Sequence, residues 1–129
     1  MLKSEIVGTW KLESFEIEDT EKKISQWGKN TRGLLIYSES DQVSVNISKD
    51  VEVNSQNEAE NVLDSILFYS GSYRVEGNLI RHQVTIASNP TRVGKEMLRY
   101  AEIDGDRVIL TTPFESFGRA FLIWKRIGK

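Results

Sequence analysis

Short apolar stretches recur about every ten residues along this chain, each closed by turn-forming residues, which is the rhythm of β-sandwiches and β-barrels. Thr9 to Glu18 reads as a long first strand ending at the charged turn Asp19 to Lys23. Leu34 to Tyr37 follows, closed by Ser38 to Asp41. In Gln42 to Ser48, Val43, Val45 and Ile47 alternate with Ser44, Asn46 and Ser48, the pattern of a half-buried strand. Gly71 to Val75 and Leu79 to Ile86 flank the hairpin turn Glu76-Gly77-Asn78. Glu96 to Ile103 and Arg107 to Thr112 flank a second, Asp104-Gly105-Asp106, and Arg119 to Arg126 is the last of eight strands.

One segment has a different period. Ser55-Gln56-Asn57-Glu58 has the form of a capping box, a hydroxyl followed three residues on by a carboxylate. Ala59, Val62, Leu63, Ile66 and Leu67 then recur at helical spacing, which predicts one short amphipathic helix ending near Tyr69, between strands three and four. Gln26 to Arg32 reads as an extended polar loop carrying an exposed Trp27.

Eight antiparallel strands joined by hairpins leave two open edges unless the sheet closes on itself. The expected fold is therefore all-β: an eight-stranded antiparallel up-and-down barrel, with the helix packed on an open end or on the wall. A two-sheet sandwich is the rival, and the regular hairpin rhythm favours the barrel. The interior of such a barrel is either filled by side chains or holds one small ligand.

The chain has 129 residues, which suits a single domain over residues 1–129 with a core large enough to need no staple. The absence of Cys removes disulfides, a thiolate metal site and a cysteine nucleophile. With one His, a multi-histidine metal site is excluded too. A net charge of −2 speaks against a dedicated nucleic-acid binder. The N-terminus has no apolar core of a secretory signal, and no apolar run approaches the roughly 20 residues of a membrane span, so a cytoplasmic protein is expected. Charge is uneven: residues 1–64 carry 7 basic and 13 acidic groups, residues 65–129 carry 10 and 6. Either the two halves attract across one surface, or the second half supplies cations to an anionic ligand.

Strand alternation separates inward from outward polar groups. Ile80, His82, Val84 and Ile86 share the more apolar face of the fifth strand, so His82 points inward. It is either a core histidine satisfied by a neighbouring hydroxyl or a hydrogen-bonding group for a ligand. Arg99 shares a face with Met97, Ala101 and Ile103. A buried guanidinium is costly unless paired, so it needs an anion: a protein carboxylate such as Glu16 or Glu18, or the head of a bound ligand. The argument extends more weakly to Arg74 and Arg119. Tyr37, Tyr73 and Phe121 are the aromatic residues expected to line a cavity. Phe114 and Phe117, in the last hairpin, stand at a rim either as an entrance or as plugs. No nucleophile elbow, P-loop or dinucleotide motif is present, and no paired carboxylates suggest glycoside hydrolysis.

Gly8-Thr9-Trp10 at the start of the first strand resembles the Gly-x-Trp signature of the lipocalins. Arg32-Gly33-Leu34-Leu35-Ile36-Tyr37, Gly71-Ser72-Tyr73, Ser88-Asn89-Pro90 with Val93-Gly94, Arg99-Tyr100, Asp104 to Leu110 and Leu122 to Arg126 follow in order. Over residues 5–127 this resembles the bacterial and fungal lipocalin-like domain family. The resemblance implies a calycin-type barrel with a central cavity. It gives Trp10 and Arg126 structural roles at the closed end, and places His82, Asn89, Pro90 and Arg99 on recurring motif positions. Lipocalins carry their helix after the eighth strand, where this chain ends, so the extracellular transport roles of secreted lipocalins do not carry over.

The leading expectation is that the barrel binds a small lipophilic molecule with a polar or anionic head. His82 and Arg99 would meet the head, with Tyr73, Tyr37 and Phe121 lining the cavity. No cofactor or metal is called for. An isomerase or cyclase in which His82 moves a proton, and a filled-barrel interaction module acting as a homodimer, are the alternatives.

Overall fold

A computed structural model of the chain describes residues 1–51 and 65–129. Among these described residues a one-turn helix, α1 (Lys3–Ile6), precedes nine strands. These are β1 (Gly8–Glu18), β2 (Ile24–Gln26), β3 (Arg32–Tyr37), β4 (Gln42–Ser48) and β5 (Ile66–Glu76), then β6 (Leu79–Ala87), β7 (Glu96–Asp104), β8 (Arg107–Thr111) and β9 (Arg119–Gly128). All neighbours pair antiparallel, and β1 closes the sheet by pairing with β9 from Thr9↔Gly128 to Glu18↔Arg119. Eight strands make the closed barrel. The three-residue β2 pairs only with the end of β1, Glu16↔Gln26 to Glu18↔Ile24. Closure removes the sheet edges, as the hairpin rhythm required. Among the described residues no helix is long and apolar enough to cross a bilayer.

Both predicted hairpins form with two-residue loops. Gly77 and Gly105 each take φ 62°, the left-handed value that a type II′ turn demands of its first central residue. Alternation holds in β4, where Val43, Val45 and Ile47 are buried and the residues between them are not.

Two sequence expectations fail locally. Ile86 is 68% exposed rather than inward, because a register shift falls between Ser70 and Gly71: Gly71 pairs with Val84, but Ser70 pairs with Ile86. The extra residue, Thr85, turns the rest of β6 over. Gly71 permits this crossing, since a Cβ there would stand 1.7 Å from the Gln83 carbonyl oxygen. The predicted helix also overran. Its last residues, Ile66 to Tyr69, belong to β5, paired from Ser48↔Ile66 to Val45↔Tyr69. The remainder, from Ser55, lies outside the described residues.

One end of the barrel is sealed. Trp10 is fully buried there and donates from Nε1 to the Ile6 carbonyl at 2.9 Å, tying β1 to α1. The Arg126 guanidinium lies 4.2 Å over the Trp10 ring and donates to the carbonyls of Val7 and Glu5. It satisfies backbone acceptors that the short helix leaves open while making a cation–π contact. The β3–β4, β5–β6 and β7–β8 hairpins gather at this end. At the other end lie the end of β4, the start of β5 and the β6–β7 and β8–β9 connections.

Candidate functional site

The barrel is not filled. A cavity of about 370 Å³ opens toward the end away from Trp10, within the size range of small-molecule sites. Its wall is mostly apolar, with Phe15, Leu35, Val45, Leu110, Leu122 and Trp124 among the contributors. Into this wall project a few polar groups: Tyr69, His82, Arg99 and Thr112, with Arg92 and Glu115 from the connections at the open end.

His82 is 1% exposed and both of its ring nitrogens are engaged. Tyr37 Oη lies 2.6 Å from Nε2, and Tyr69 Oη 2.7 Å from Nδ1. The three side chains come from β3, β6 and β5, so one imidazole ties three strands together through the interior. Burial drives the His82 pKa well below its ordinary value, and the nearby Arg99 charge adds to the effect. Burial raises Tyr37 and Tyr69, while the positive field of Arg99 partly opposes the rise in both. At neutral pH the array is therefore uncharged. With both nitrogens held by hydroxyls, no lone pair of the imidazole is free to take a proton from a molecule in the cavity.

Arg99 points inward from β7, as its alternation with Met97 and Ala101 indicated, and lines the cavity. Neither expected carboxylate meets it. Glu18 pairs with Arg119 at 3.1 Å, and Glu16 accepts from the Ser14 hydroxyl at 3.3 Å. Arg99 donates from Nη1 to the Leu98 carbonyl at 2.7 Å, and among the described residues no carboxylate pairs with it. Arg74 and Arg119 are not cavity cations. Arg74 bonds Glu76 on the outside at 2.9 Å, and Arg119 stacks 4.6 Å over Phe114 and 4.8 Å over Phe121.

The remaining expected site residues are split by the structure. Tyr37 stands behind His82 rather than on the cavity wall. Tyr73 packs edge-on against Tyr37, ring centroids 4.7 Å apart, and donates to the Ser38 carbonyl at 2.7 Å. It braces the sealed end, and its burial, with Asp41 and Glu39 nearby, pushes its pKa up to about 12. Phe121 is corrected outright: between buried Ala120 and Leu122, it projects from the outer face of β9. Of the rim aromatics, Phe117 lines the cavity mouth, whereas Phe114, 67% exposed, lies under Arg119 outside it.

Several site residues escaped the sequence reading. Helical spacing puts Tyr69 at the tail of a helix, whereas counting back by twos from Tyr73 through Gly71 places it on the inward face of a strand. Trp27 is not exposed. It stacks on Phe15 at 4.7 Å with Lys49 4.2 Å over its ring, and it lines the cavity. Arg92 comes from a 3₁₀ turn (Pro90–Arg92) started by Asn89, whose side chain caps Thr91 N. No strand periodicity could have found it.

The lipocalin-like domain family model matches residues 7–127. Among solved structures, a redesigned β barrel superposes with a TM-score of 0.51 at 9% identity, over 96% of this chain and 93% of that one. That similarity shows the fold alone. Fatty-acid-binding protein 1 of Echinococcus granulosus gives a TM-score of 0.49 at 13% identity, over 96% of this chain and 98% of that one. A variant of the fluorescent protein UnaG gives 0.49 at 17%, over 99% and 100%. No curated protein matches the chain.

Proposed function

The chain belongs to the lipocalin-like domain family, and from that premise we propose that its barrel binds one small, largely apolar molecule bearing an anionic head, most simply a carboxylate. One observation carries the reading: Arg99 projects into an apolar cavity with no carboxylate partner among the described residues. A partly buried guanidinium on an apolar wall gains from an anion that meets it, and its planar fork suits a carboxylate. Arg92 adds a second positive charge among the lining residues, and Tyr69 and His82 stand beside Arg99. In this reading Arg99 holds the head and the apolar wall takes the chain. Tyr37 supports His82 from behind, Tyr73 packs against Tyr37, and Phe121 has no part.

The test has two steps. Native mass spectrometry of freshly purified protein, followed by denaturation, identifies any molecule carried through purification. Calorimetric titration with dodecanoate then compares the unaltered protein with Arg99→Leu. Uptake in one-to-one ratio, weakened at least about tenfold by the substitution, is the expected result. Equal affinity in the two folded proteins would remove Arg99 from the site.

A further inference from the structure

The hydrogen-bond array around His82 has a direction. A neutral imidazole has one N–H donor and one acceptor nitrogen, so one tyrosine donates to the ring and the other accepts from it. The two arrangements differ in which phenol proton is left over. Suppose Tyr69 donates to Nδ1. Then Nε2–H donates to Tyr37, and the Tyr37 proton must find another acceptor. Tyr37 is 1% exposed, does not line the cavity and has no second hydrogen-bond partner among the described residues. That proton would be buried and unsatisfied, at a cost of roughly 1–3 kcal/mol. In the reverse arrangement Tyr37 donates to Nε2, Nδ1–H donates to Tyr69, and the spare proton is on Tyr69, which does line the cavity. The Tyr69 oxygen then accepts from His82, and its own proton is left to donate into the cavity.

We propose that Tyr69 is a ligand-contacting hydrogen-bond donor, aimed into the cavity by a Tyr37→His82→Tyr69 relay in which His82 is the positioning residue. The inference rests on the ligand reading above and narrows it: the head must present an acceptor to Tyr69 beside the Arg99 guanidinium. A carboxylate does so with two oxygens; an ammonium or another donor-only head cannot. His82, the residue that the strand pattern put forward as a contact, acts instead through Tyr69.

The single imidazole makes the relay directly observable. Nitrogen NMR of isotopically labelled, unaltered protein at neutral pH distinguishes the two tautomers, and the relay requires Nδ1 protonated with Nε2 as acceptor. Free histidine prefers the opposite form, so this result would not arise by default. In parallel, Tyr69→Phe is titrated with dodecanoate and is expected to bind about tenfold more weakly than the unaltered protein. An Nε2-protonated ring overturns the relay while leaving the ligand reading standing. An Nδ1-protonated ring with unchanged affinity in Tyr69→Phe overturns the donor role. No uptake of dodecanoate by the unaltered protein overturns the carboxylate reading itself, and the donor role falls with it.

Discussion

The phenol of Tyr37 meets Nε2 of His82 at 2.6 Å across the barrel interior, joining residues 45 apart in the chain. Neither group is remarkable in its own strand. Together they place a neutral imidazole under an arginine, and the behaviour of the site follows from that pairing.

The pairing makes stability depend on pH. The folded-state pKa of His82 lies below its unfolded value, so the unfolded chain takes up a proton that the native barrel refuses. The associated stability is complete above the unfolded value, near 6.5, and is lost as pH falls from there toward the folded value, at up to about 1.4 kcal/mol per pH unit. Denaturant unfolding at pH 7 and pH 5 should show this loss. In His82→Gln the part due to His82 should vanish, although that variant is less stable at pH 7. An unaltered slope would mean that His82 titrates normally.

Gly71 should tolerate no side chain. Its Cβ would collide with the Gln83 carbonyl, a backbone atom that cannot move without breaking the β5–β6 register. Gly71→Ala is expected to cost about 3 kcal/mol or more. At Gly94 a Cβ meets open space and only the φ of 85° is strained, so Gly94→Ala should cost about 1 kcal/mol. Thermal unfolding of the pair gives the ordering.

Arg126 should matter to stability and not to binding. Arg126→Met keeps the apolar stem but loses the cation–π contact with Trp10 and the bonds to Val7 and Glu5, an expected loss of about 2–3 kcal/mol. Dodecanoate affinity of the folded variant should match that of the unaltered protein, because the sealed end is remote from the cavity mouth.

Leu122 and Phe121 are neighbours on opposite faces of β9. Leu122→Trp places a large ring in the cavity and should abolish dodecanoate uptake by a barrel that still folds. Phe121→Ala removes a ring from the outside and should leave affinity within about twofold, the size of an ordinary surface effect. If Phe121→Ala weakened binding as strongly as Leu122→Trp, the facing of β9 would be wrong.

Much of the barrel was legible because the signals that carry it are local. A pleated strand shows its buried face every second residue, which exposed Val43, Val45, Ile47, His82 and Arg99 as inward. A left-handed turn shows as a glycine, which marked the hairpins at Gly77 and Gly105. Eight such strands joined by hairpins leave closure as the simplest way to satisfy the edges.

What the tertiary structure decided depends on contacts between distant strands. One extra residue at Thr85 turned Ile86 outward, and only the β5–β6 register reveals it. Tyr69 fits a helix by spacing and a strand by pairing, and in the barrel it pairs with Val45, which buries its ring and brings its phenol to His82. That Arg99 meets no carboxylate among the described residues could not be read from composition, since Glu18 was available in sequence and was claimed by Arg119 in space. Phe121 and Tyr73 were reasonable aromatics for a cavity until their strands were placed. The sequence determined which groups point inward, because that follows from the alternation of a single strand. Only the folded barrel determined which of them meet, because hydrogen bonds and ion pairs act over a few ångströms between residues that closure alone brings together.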